Sequence, residues 1–236
     1  MKQIIPGLSM FTGLLVGRVY CIEDADGLTL IDTGLALAAA KILRQIRQAG
    51  RTPQDVKRIL ITHAHPDHVD GLSALKQATG ATVVALVEEQ PYIEGQKPVP
   101  RAPKEQLHGL DRLMVGNGQA TPVTHPVKVD RPLLEGEIMP DVMGGLQALW
   151  TPGHSPGHTA YWQAEKGILF CGDVLMRFPG YRLPFAAFTS NMAENKRSLQ
   201  KIVALQPRLV CFGHGQPLQE NAAATLRQFA QKINGQ

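Results

Sequence analysis

Three histidines and an aspartate fall within six consecutive positions of this chain, in the segment His63–His68 with the sequence HAHPDH. Imidazole nitrogens and carboxylate oxygens are the ligands that suit zinc, iron and manganese in proteins. A single histidine is usually a satisfied core or surface residue, but four such groups packed so tightly are not explained by structure alone. The segment therefore predicts a metal centre.

The residues around this segment indicate how it could serve two metal ions. The run Arg58–Thr62 is typical of a buried strand, and the two-residue period of a strand aims His63 and His65 the same way. Pro66 suits the first turn of a following helix, where its missing N–H costs nothing. Asp67 and His68 would project from that turn toward a second position.

Further ligand types occur where three later strands are expected to end. His154 lies in a loop after the strand that ends at Trp150, Asp173 ends the run LFCGD, and His214 stands between glycines in FGHG. Glycines let the backbone turn sharply beside such side chains. Strand ends and the loops that follow them are the usual places for binding sites in layered α/β proteins.

Short strand-like runs alternate with helix-like runs along the chain. The turn dipeptide Asp26-Gly27 predicts a hairpin, and the Ala- and Leu-rich run Leu35–Ala49 predicts a helix that stops at Gly50. The two strands of that hairpin are Val19–Glu23 and Leu28–Ile31. Later strands are expected over the ranges Thr82–Val87, Leu133–Ile138, Leu146–Trp150, Thr159–Gln163, Ile168–Cys171 and Leu209–Phe212, and later helices over Met192–Leu205 and Glu220–Ile233.

This order of elements predicts an α/β fold with two sheets packed face to face and helices on both outer faces. We expect one domain over residues 1–236. Proline interrupts residues 88–130 repeatedly and regular periodicity fades there. We interpret that stretch as an insertion packed over the domain near the site.

Composition excludes several classes of protein. Hydrophobic residues make up 44% and charged residues 19% of 236 residues, which is ordinary for a globular chain. No apolar run is long enough for a membrane span, and the net charge of +4 is scattered rather than clustered, which argues against nucleic acid. Cys21, Cys171 and Cys211 each sit in an apolar run, so we expect buried thiols and a cytoplasmic protein.

Taken together, the HxHxDH segment, the three later strand-end ligands and the turn Asp32-Thr33-Gly34 resemble the metallo-β-lactamase superfamily over nearly the whole chain. The resemblance implies a four-layer αβ/βα sandwich that holds two metal ions, with zinc expected and iron or manganese as alternatives. It also implies that Asp32 is the buried aspartate behind the ligand loops. The implied ligands are His63, His65 and His154 for the first metal, Asp67, His68 and His214 for the second, and Asp173 as the bridge.

The ligand set resembles one branch of that superfamily more than another. Antibiotic-cleaving members lack a bridging aspartate at the position of Asp173, so its presence favours the branch of glyoxalase II (hydroxyacylglutathione hydrolase) and N-acyl homoserine lactonases. Glyoxalase II of the usual type has a helical C-terminal domain that helps to hold glutathione, whereas 22 residues follow His214 here. The resemblance therefore does not extend to glutathione specificity.

The implied chemistry is hydrolysis of a thioester, ester or lactone. Two divalent cations and the carboxylates of Asp67 and Asp173 leave a net positive centre, which can hold a bridging hydroxide near neutral pH for attack on a carbonyl carbon. Asp67 could also pass a proton to the leaving group. We expect a small-molecule substrate, anionic or rich in carbonyl groups, and a monomer or homodimer.

Four other residues and three other activities stay open at this point. His158 is expected to support the ligand loop by hydrogen bonding, and Arg177, Tyr181 and Arg182 are candidates for substrate contacts because they lie on the loop after Asp173. The main alternative activity is that of a mononuclear iron persulfide dioxygenase. A β-lactamase and a phosphodiesterase or nuclease are further alternatives.

Overall fold

A computed structural model describes residues 1–114 and 120–235, and it describes the side chains of all of these except residues 110, 114 and 234. Its strands are β1 Lys2–Ile5, β2 Leu8–Met10, β3 Tyr20–Asp24, β4 Gly27–Ile31, β5 Val56–Leu60, β6 Thr82–Leu86, β7 Val99–Pro100, β8 Ala120–Thr121, β9 Arg131–Leu133, β10 Ile138–Met139, β11 Leu146–Trp150, β12 Thr159–Gln163, β13 Ile168–Gly172, β14 Met176–Arg177, β15 Tyr181–Arg182 and β16 Leu209–Phe212. Its helices are α1 Ala38–Gln48, α2 Pro66–Val69, α3 Leu72–Thr79, α4 Gln90–Ile93, α5 Gly109–Met114, α6 Met192–Ala204 and α7 Ala222–Asn234, with short 3₁₀ turns at Pro53–Asp55, Lys104–Gln106 and Ala186–Phe188.

Two mixed sheets form the centre of the fold. The first has seven strands in the order β1-β2-β3-β4-β5-β6-β9, and the second has five in the order β10-β11-β12-β13-β16. β4, β5, β6 and β9 run parallel to one another, as do β13 and β16. Parallel neighbours end at the same edge of a sheet. The residues that follow β5 therefore share an edge with those that follow β4 and β6, and the residues that follow β13 share one with those that follow β16.

Alternation of side chains along the strands produces three apolar layers. In β13, Ile168 and Phe170 belong to the cluster between the two sheets, whereas Leu169 and Cys171 belong to the cluster under α6 and α7. Strands of the first sheet divide in the same way between the inter-sheet cluster and the cluster under α1 and α3. Strands that are covered on both faces are continuous apolar runs, as in parallel sheets generally. The result is helix, sheet, sheet, helix, which confirms the predicted four-layer sandwich.

Most predicted elements are confirmed within a residue or two at each end. The hairpin pairs Asp24 with Gly27 across the expected turn, and Pro66 opens α2 as predicted. The N-terminal strands β1 and β2 were not predicted. The three cysteines are buried free thiols, as expected.

One predicted strand is wrong. The run Leu133–Ile138 is not continuous: β9 ends at Leu133 in the first sheet, and β10 begins at Ile138 in the second. Between them Gly136 adopts a φ of +80°, and the Glu137 carboxylate accepts a hydrogen bond from the backbone N–H of Leu134. This turn carries the chain from one sheet to the other.

The proline-rich stretch 88–130 contains α4, β7, β8, α5 and one 3₁₀ turn, and its residues 115–119 lie outside the described residues. That this stretch is an insertion within a single domain over residues 1–236 stays a prediction. Among residues 1–114 and 120–235, no helix is long and apolar enough to cross a bilayer.

Candidate metal centre

Loops from both sheets meet at one edge of the sandwich. The first sheet contributes the segment after β5, and the second contributes the loop between β11 and β12 and the residues that follow β13 and β16. Seven side chains there form three overlapping groups whose ligand atoms lie within 4.8 Å of one another in each group: His63, His65 and His154; His63, His68 and Asp173; Asp67, His68 and His214. All seven predicted ligands are therefore brought together.

The first group is composed of histidines from two different sheets. Nδ1 of His65 lies 2.8 Å from Nε2 of His154, and the ring centroid of His63 lies 4.9 Å from that of His65 and 4.7 Å from that of His154. Neutral imidazoles each have one nitrogen lone pair, so two such nitrogens in contact need a proton or a cation between them. This arrangement is what a bound metal ion would satisfy.

In two of these rings the nitrogen that faces away from the site is hydrogen-bonded to a threonine hydroxyl. The lone pair of the other nitrogen in each ring then points into the site. The Thr62 hydroxyl donates to the Asp32 carboxylate at 2.8 Å, so it accepts from Nδ1–H of His63 at 3.0 Å. The Thr189 hydroxyl donates to the carbonyl oxygen of Phe185 and in the same way lies 3.3 Å from Nδ1 of His154. In both rings Nε2 is then the unprotonated nitrogen, the form that binds metals.

The other four ligands, which are called the second group from here on, join two carboxylates to two histidines: Asp67, Asp173, His68 and His214. Nε2 of His214 lies 3.1 Å from a carboxylate oxygen of Asp67 and 3.1 Å from one of Asp173. Nε2 of His68 lies 3.6 Å from Asp67 and 3.6 Å from the other oxygen of Asp173. Asp173 also reaches the first group, since Oδ2 lies 3.5 Å from Nε2 of His154. It is therefore the one carboxylate that borders both groups of histidines among the seven.

Three buried polar atoms in the site test whether a metal fits. Nε2 of His63, Nε2 of His65 and Oδ1 of Asp173 have no hydrogen-bond partner within the described part of the chain. A buried polar atom without a partner is costly, and native proteins rarely tolerate three so close together. Each of these atoms is a nitrogen or oxygen ligand of the kind that zinc accepts, so the residues fit a metal centre.

The pKa shifts separate the two groups. Burial lowers the pKa of His63 and His154 well below the ordinary value and that of His65 to about 4, so these rings are neutral, ready-made ligands. Burial also disfavours charge on His68 and His214, but neighbouring carboxylates outweigh it and raise their pKa values to about 9 and about 10. A metal that binds the second group would displace those protons.

Two residues predicted to support the ligands lie directly behind them. Asp32 accepts from the backbone N–H of Thr62 at 2.8 Å and contacts Nδ1 of His68 at 2.8 Å, in a left-handed backbone conformation with φ of +61°. His158 accepts the backbone N–H of Asp173 at 2.9 Å through Nε2, so its Nδ1–H donates to the Thr151 hydroxyl. A carboxylate or backbone group behind a ligand fixes its orientation.

Tyrosine hydroxyls from each sheet reach across to the other, a feature that was not predicted. Tyr161 of β12 donates to the carbonyl oxygen of Ile61 at 2.8 Å, and Tyr20 of β3 donates to that of Phe212 at 2.7 Å. Each acceptor lies two residues before a candidate ligand, His63 or His214. Alternating apolar patterns could have indicated that both rings are buried, but not which carbonyl each meets.

A cavity of about 460 Å³ opens beside His65, Asp67, His154, Asp173 and His214. Its remaining wall is mostly apolar and includes Val16, Leu35, Met176, Phe178, Phe185 and Phe188. Arg101, from the proline-rich stretch, is the one lysine or arginine among the described residues that line the cavity. Its Nε donates to the Thr121 hydroxyl at 2.8 Å, and its guanidinium lies 5.1 Å from the Phe188 ring centroid.

The candidates for substrate contact after Asp173 do not line this cavity in the described structure. Arg177 donates to the carbonyl oxygens of Gln216 and Pro217, and Tyr181 packs toward Phe212. The guanidinium of Arg182 lies 3.8 Å from the ring centroid of Phe185, whose side chain does line the cavity. Sequence reasoning placed the right loop at the site but chose its polar residues, whereas apolar residues of the loop form the wall, among them Met176, Phe178 and Pro179.

Known proteins are similar to this chain in sequence and in fold. The sequence pattern of the Metallo-beta-lactamase superfamily matches residues 12–214. A probable metallo-hydrolase of Bacillus subtilis, YybB, is 27% identical over 86% of this chain and 83% of its own length. A hydroxyacylglutathione hydrolase of Rhodobacter capsulatus is 29% identical over 80% of this chain but only 57% of its own length. The subclass B3 metallo-beta-lactamase BJP-1 of Bradyrhizobium japonicum superposes with a TM-score of 0.70 at 26% identity, covering 99% of this chain and 90% of that one.

Proposed function

The chain belongs to the metallo-beta-lactamase superfamily and is a metallo-hydrolase, and from that premise we propose that it hydrolyses thioesters, esters or lactones at a centre of two metal ions. The observation that carries this proposal is the set of seven converging ligand side chains with three buried ligand atoms left without partners. His63, His65 and His154 would hold one ion, Asp67, His68 and His214 the other, and Asp173 would border both. Zinc accepts this mixture of imidazole and carboxylate ligands.

When bound, such ions would polarise a carbonyl oxygen and supply water that is acidic enough to attack near neutral pH. The chain's own residues hold the reacting groups in place. Burial lowers the pKa values of His63, His65 and His154, which keeps these ligands neutral. Asp67 lines the cavity, and its neighbours His68 and His214 hold its pKa below the ordinary value against the effect of burial. We propose that its ionised carboxylate guides a proton to the leaving group.

The cavity walls favour an apolar acyl group on the substrate. The aromatic and aliphatic side chains beside the ligands offer a surface that a charged or sugar-like group would not fill well. Burial of one side-chain-sized apolar group contributes about 1.5–3 kcal/mol. Val16 and Phe178 line the cavity and are also exposed, so the apolar wall continues to the surface and could accompany a chain longer than the cavity.

Arg101 supports the anionic or carbonyl-rich character of the substrate. Arg101 and His65 line the same cavity, so a group bound to Arg101 would share that cavity with the reacting carbonyl. A guanidinium binds carboxylates with two parallel hydrogen bonds and binds neutral carbonyls more weakly. We therefore propose an apolar acyl compound with a carboxylate or second carbonyl group near the scissile bond.

The likeness to hydroxyacylglutathione hydrolase supports thioester cleavage as a reaction class, but this chain spans just over half the length of that relative, 57%. The likeness to a subclass B3 metallo-beta-lactamase supports β-lactams as a second candidate substrate class. A β-lactam joins a strained cyclic amide to a carboxylate, which would suit the same neighbouring cation.

The decisive experiment combines metal analysis with a substrate panel. Purified protein would be assayed for zinc, iron and manganese, and its metal-free and zinc-loaded forms compared on thioesters, lactones, β-lactams and phosphodiesters. We expect two metal ions per chain and metal-dependent turnover of thioesters or lactones. A single iron with oxygen consumption, or strong β-lactam turnover without the others, would overturn this assignment.

Asp173→Asn provides the matching test of the ligand set. Loss of this carboxylate should reduce metal content and hydrolysis together. The reduction should exceed the loss of about 10- to 100-fold that removal of a supporting residue causes. Asp130→Asn is the control, because Asp130 pairs with Lys76 at a partly exposed position away from the site. An Asp173→Asn protein without the metal that retains full turnover would refute the assignment.

A further inference from the structure

A buried glutamate lies beside the candidate ligands without being one of them. Glu89 follows β6 and precedes α4, and its exposed fraction is 0%. Among the described residues, no lysine or arginine forms an ion pair with it. Burial of an unpaired carboxylate is expensive, and such a group persists only where strong hydrogen bonds compensate. Its hydrogen-bond partners are therefore informative.

Three donors converge on this carboxylate, from two separate loops. The backbone N–H of Ala64 donates to Oε1 at 2.7 Å, while the Ser155 hydroxyl and the backbone N–H of Gly157 donate to Oε2 at 2.9 and 2.8 Å. Ala64 stands between His63 and His65. Ser155 follows His154 directly. One carboxylate thus joins the loop of the first sheet to the loop of the second.

Close packing shows that this junction has no slack. A Cβ atom on Gly157 would lie 2.2 Å from the backbone nitrogen of Glu89 and 2.4 Å from the carbonyl carbon of Glu88. Any larger residue would push the loop off the segment that carries Glu89. Glu89 and its backbone therefore help to determine the distances between the three histidines of the first group.

We propose that Glu89 is a positioning residue that holds the His63–His65 loop and the His154 loop in register, and so determines metal affinity at the first group. This inference rests on the metal centre proposed above. The geometry requires it to act through its neighbours, because its hydrogen bonds go to Ala64, Ser155 and Gly157 rather than to any ligand ring. The role depends on the three directed acceptor contacts.

Glu89→Gln tests this role with little change of shape. An amide can accept at only one of the two positions, so either Ala64 or Gly157 would face a donor instead of an acceptor. Loss of supporting contacts of this kind typically weakens metal binding about 10- to 100-fold, and we expect a loss in that range for zinc, measured by competition with a chromophoric chelator. The absorption spectrum of the cobalt(II)-loaded protein should change as well, because the ligand geometry changes.

Two further variants accompany it. Ser155→Ala removes one of the three donors and should give a smaller loss of zinc affinity. Glu94→Gln is the matched control, since Glu94 also accepts a backbone N–H, that of Val129 at 3.0 Å, while its other hydrogen bonds in the described structure come from Gln90 and Gln96 rather than from a ligand loop. Its zinc affinity and cobalt spectrum should equal those of the original chain.

The outcomes separate this inference from the proposed function. If the original chain binds zinc and Glu89→Gln binds it equally well with the same cobalt spectrum, the positioning role is wrong while the metal centre stands. A lower melting temperature alone, with unchanged affinity, would likewise refute it. If Glu89→Gln does not fold, Ser155→Ala decides by the same two measurements. If the original chain binds no metal, the proposed function itself fails.

Discussion

The hydroxyl of Tyr161 offers a direct test of how the two sheets are joined beneath the candidate metal centre. Tyr161 lies in β12 of the second sheet with an exposed fraction of 0%, and it donates to the carbonyl oxygen of Ile61 at 2.8 Å, just beyond the end of β5 in the first sheet. Tyr161→Phe keeps the ring and its packing but removes the donor. The carbonyl would then be buried without this partner.

The structure indicates the magnitude of the effect. A buried acceptor that loses its donor costs about 1–3 kcal/mol, because neither water nor another donor replaces it. For a chain of this size, each kcal/mol corresponds to a change of about 2–4 °C in the melting temperature. Since the ring remains in place, no large cavity adds to this cost. We therefore expect a loss confined to the contribution of one hydrogen bond.

Urea titration of the metal-free protein would measure this loss. The midpoint should fall while the slope m stays the same, because the surface exposed on unfolding hardly changes. Tyr92→Phe is the control: Tyr92 is only partly buried, and its hydroxyl makes no hydrogen bond within the described residues. It should change stability by less than about 0.5 kcal/mol. Equal stabilities for the two variants would refute the inter-sheet hydrogen bond.

Two other expectations follow from single side chains. Arg101→Leu should raise KM about 10- to 100-fold for substrates with a carboxylate near the scissile bond, because a charge-assisted hydrogen bond contributes about 1.5–3 kcal/mol. The KM of neutral substrates with the same acyl chain should stay nearly unchanged. Equal effects on both kinds of substrate would show that Arg101 does not select for charge. Burial raises the pKa of Glu89 from 4.5 to about 7, so the folded chain binds the proton of this carboxyl group more tightly than the unfolded chain does. The stability that this protonation contributes is present below about pH 4.5 and is lost as the pH rises through about 7. The metal-free chain should therefore lose up to about 3 kcal/mol relative to Glu89→Gln between about pH 5 and pH 8, and urea titrations that show a constant difference would contradict this.

The candidate metal ligands were predictable from sequence because their chemistry is local. His63, His65 and His68 stand close together in the chain, and strand-then-helix periodicity is enough to aim them at one place. Residues after strand ends lie at sheet edges whatever the rest of the fold, which brought His154, Asp173 and His214 into the same prediction. Alternation of apolar residues likewise predicted the layers, although it missed the turn at Gly136.

The residues around the ligands were not predictable, because their roles depend on which distant segments meet. Glu89 is one acid among many in the sequence, and it becomes a junction only where the loops that carry Ala64 and Ser155 approach it from two sheets. Arg101 has no neighbouring motif, and only packing brings it to the cavity wall.

The sequence by itself therefore determined the fold class, the ligand types and the kind of chemistry, since these follow from side-chain chemistry and local periodicity. Tertiary structure decided which nitrogen of His63 faces the site, which residues of the loop after Asp173 meet the cavity, and what holds the two ligand loops together. Those properties depend on hydrogen bonds and packing between segments far apart in the chain, such as the bond from Tyr20 to Phe212. No local pattern encodes such a meeting.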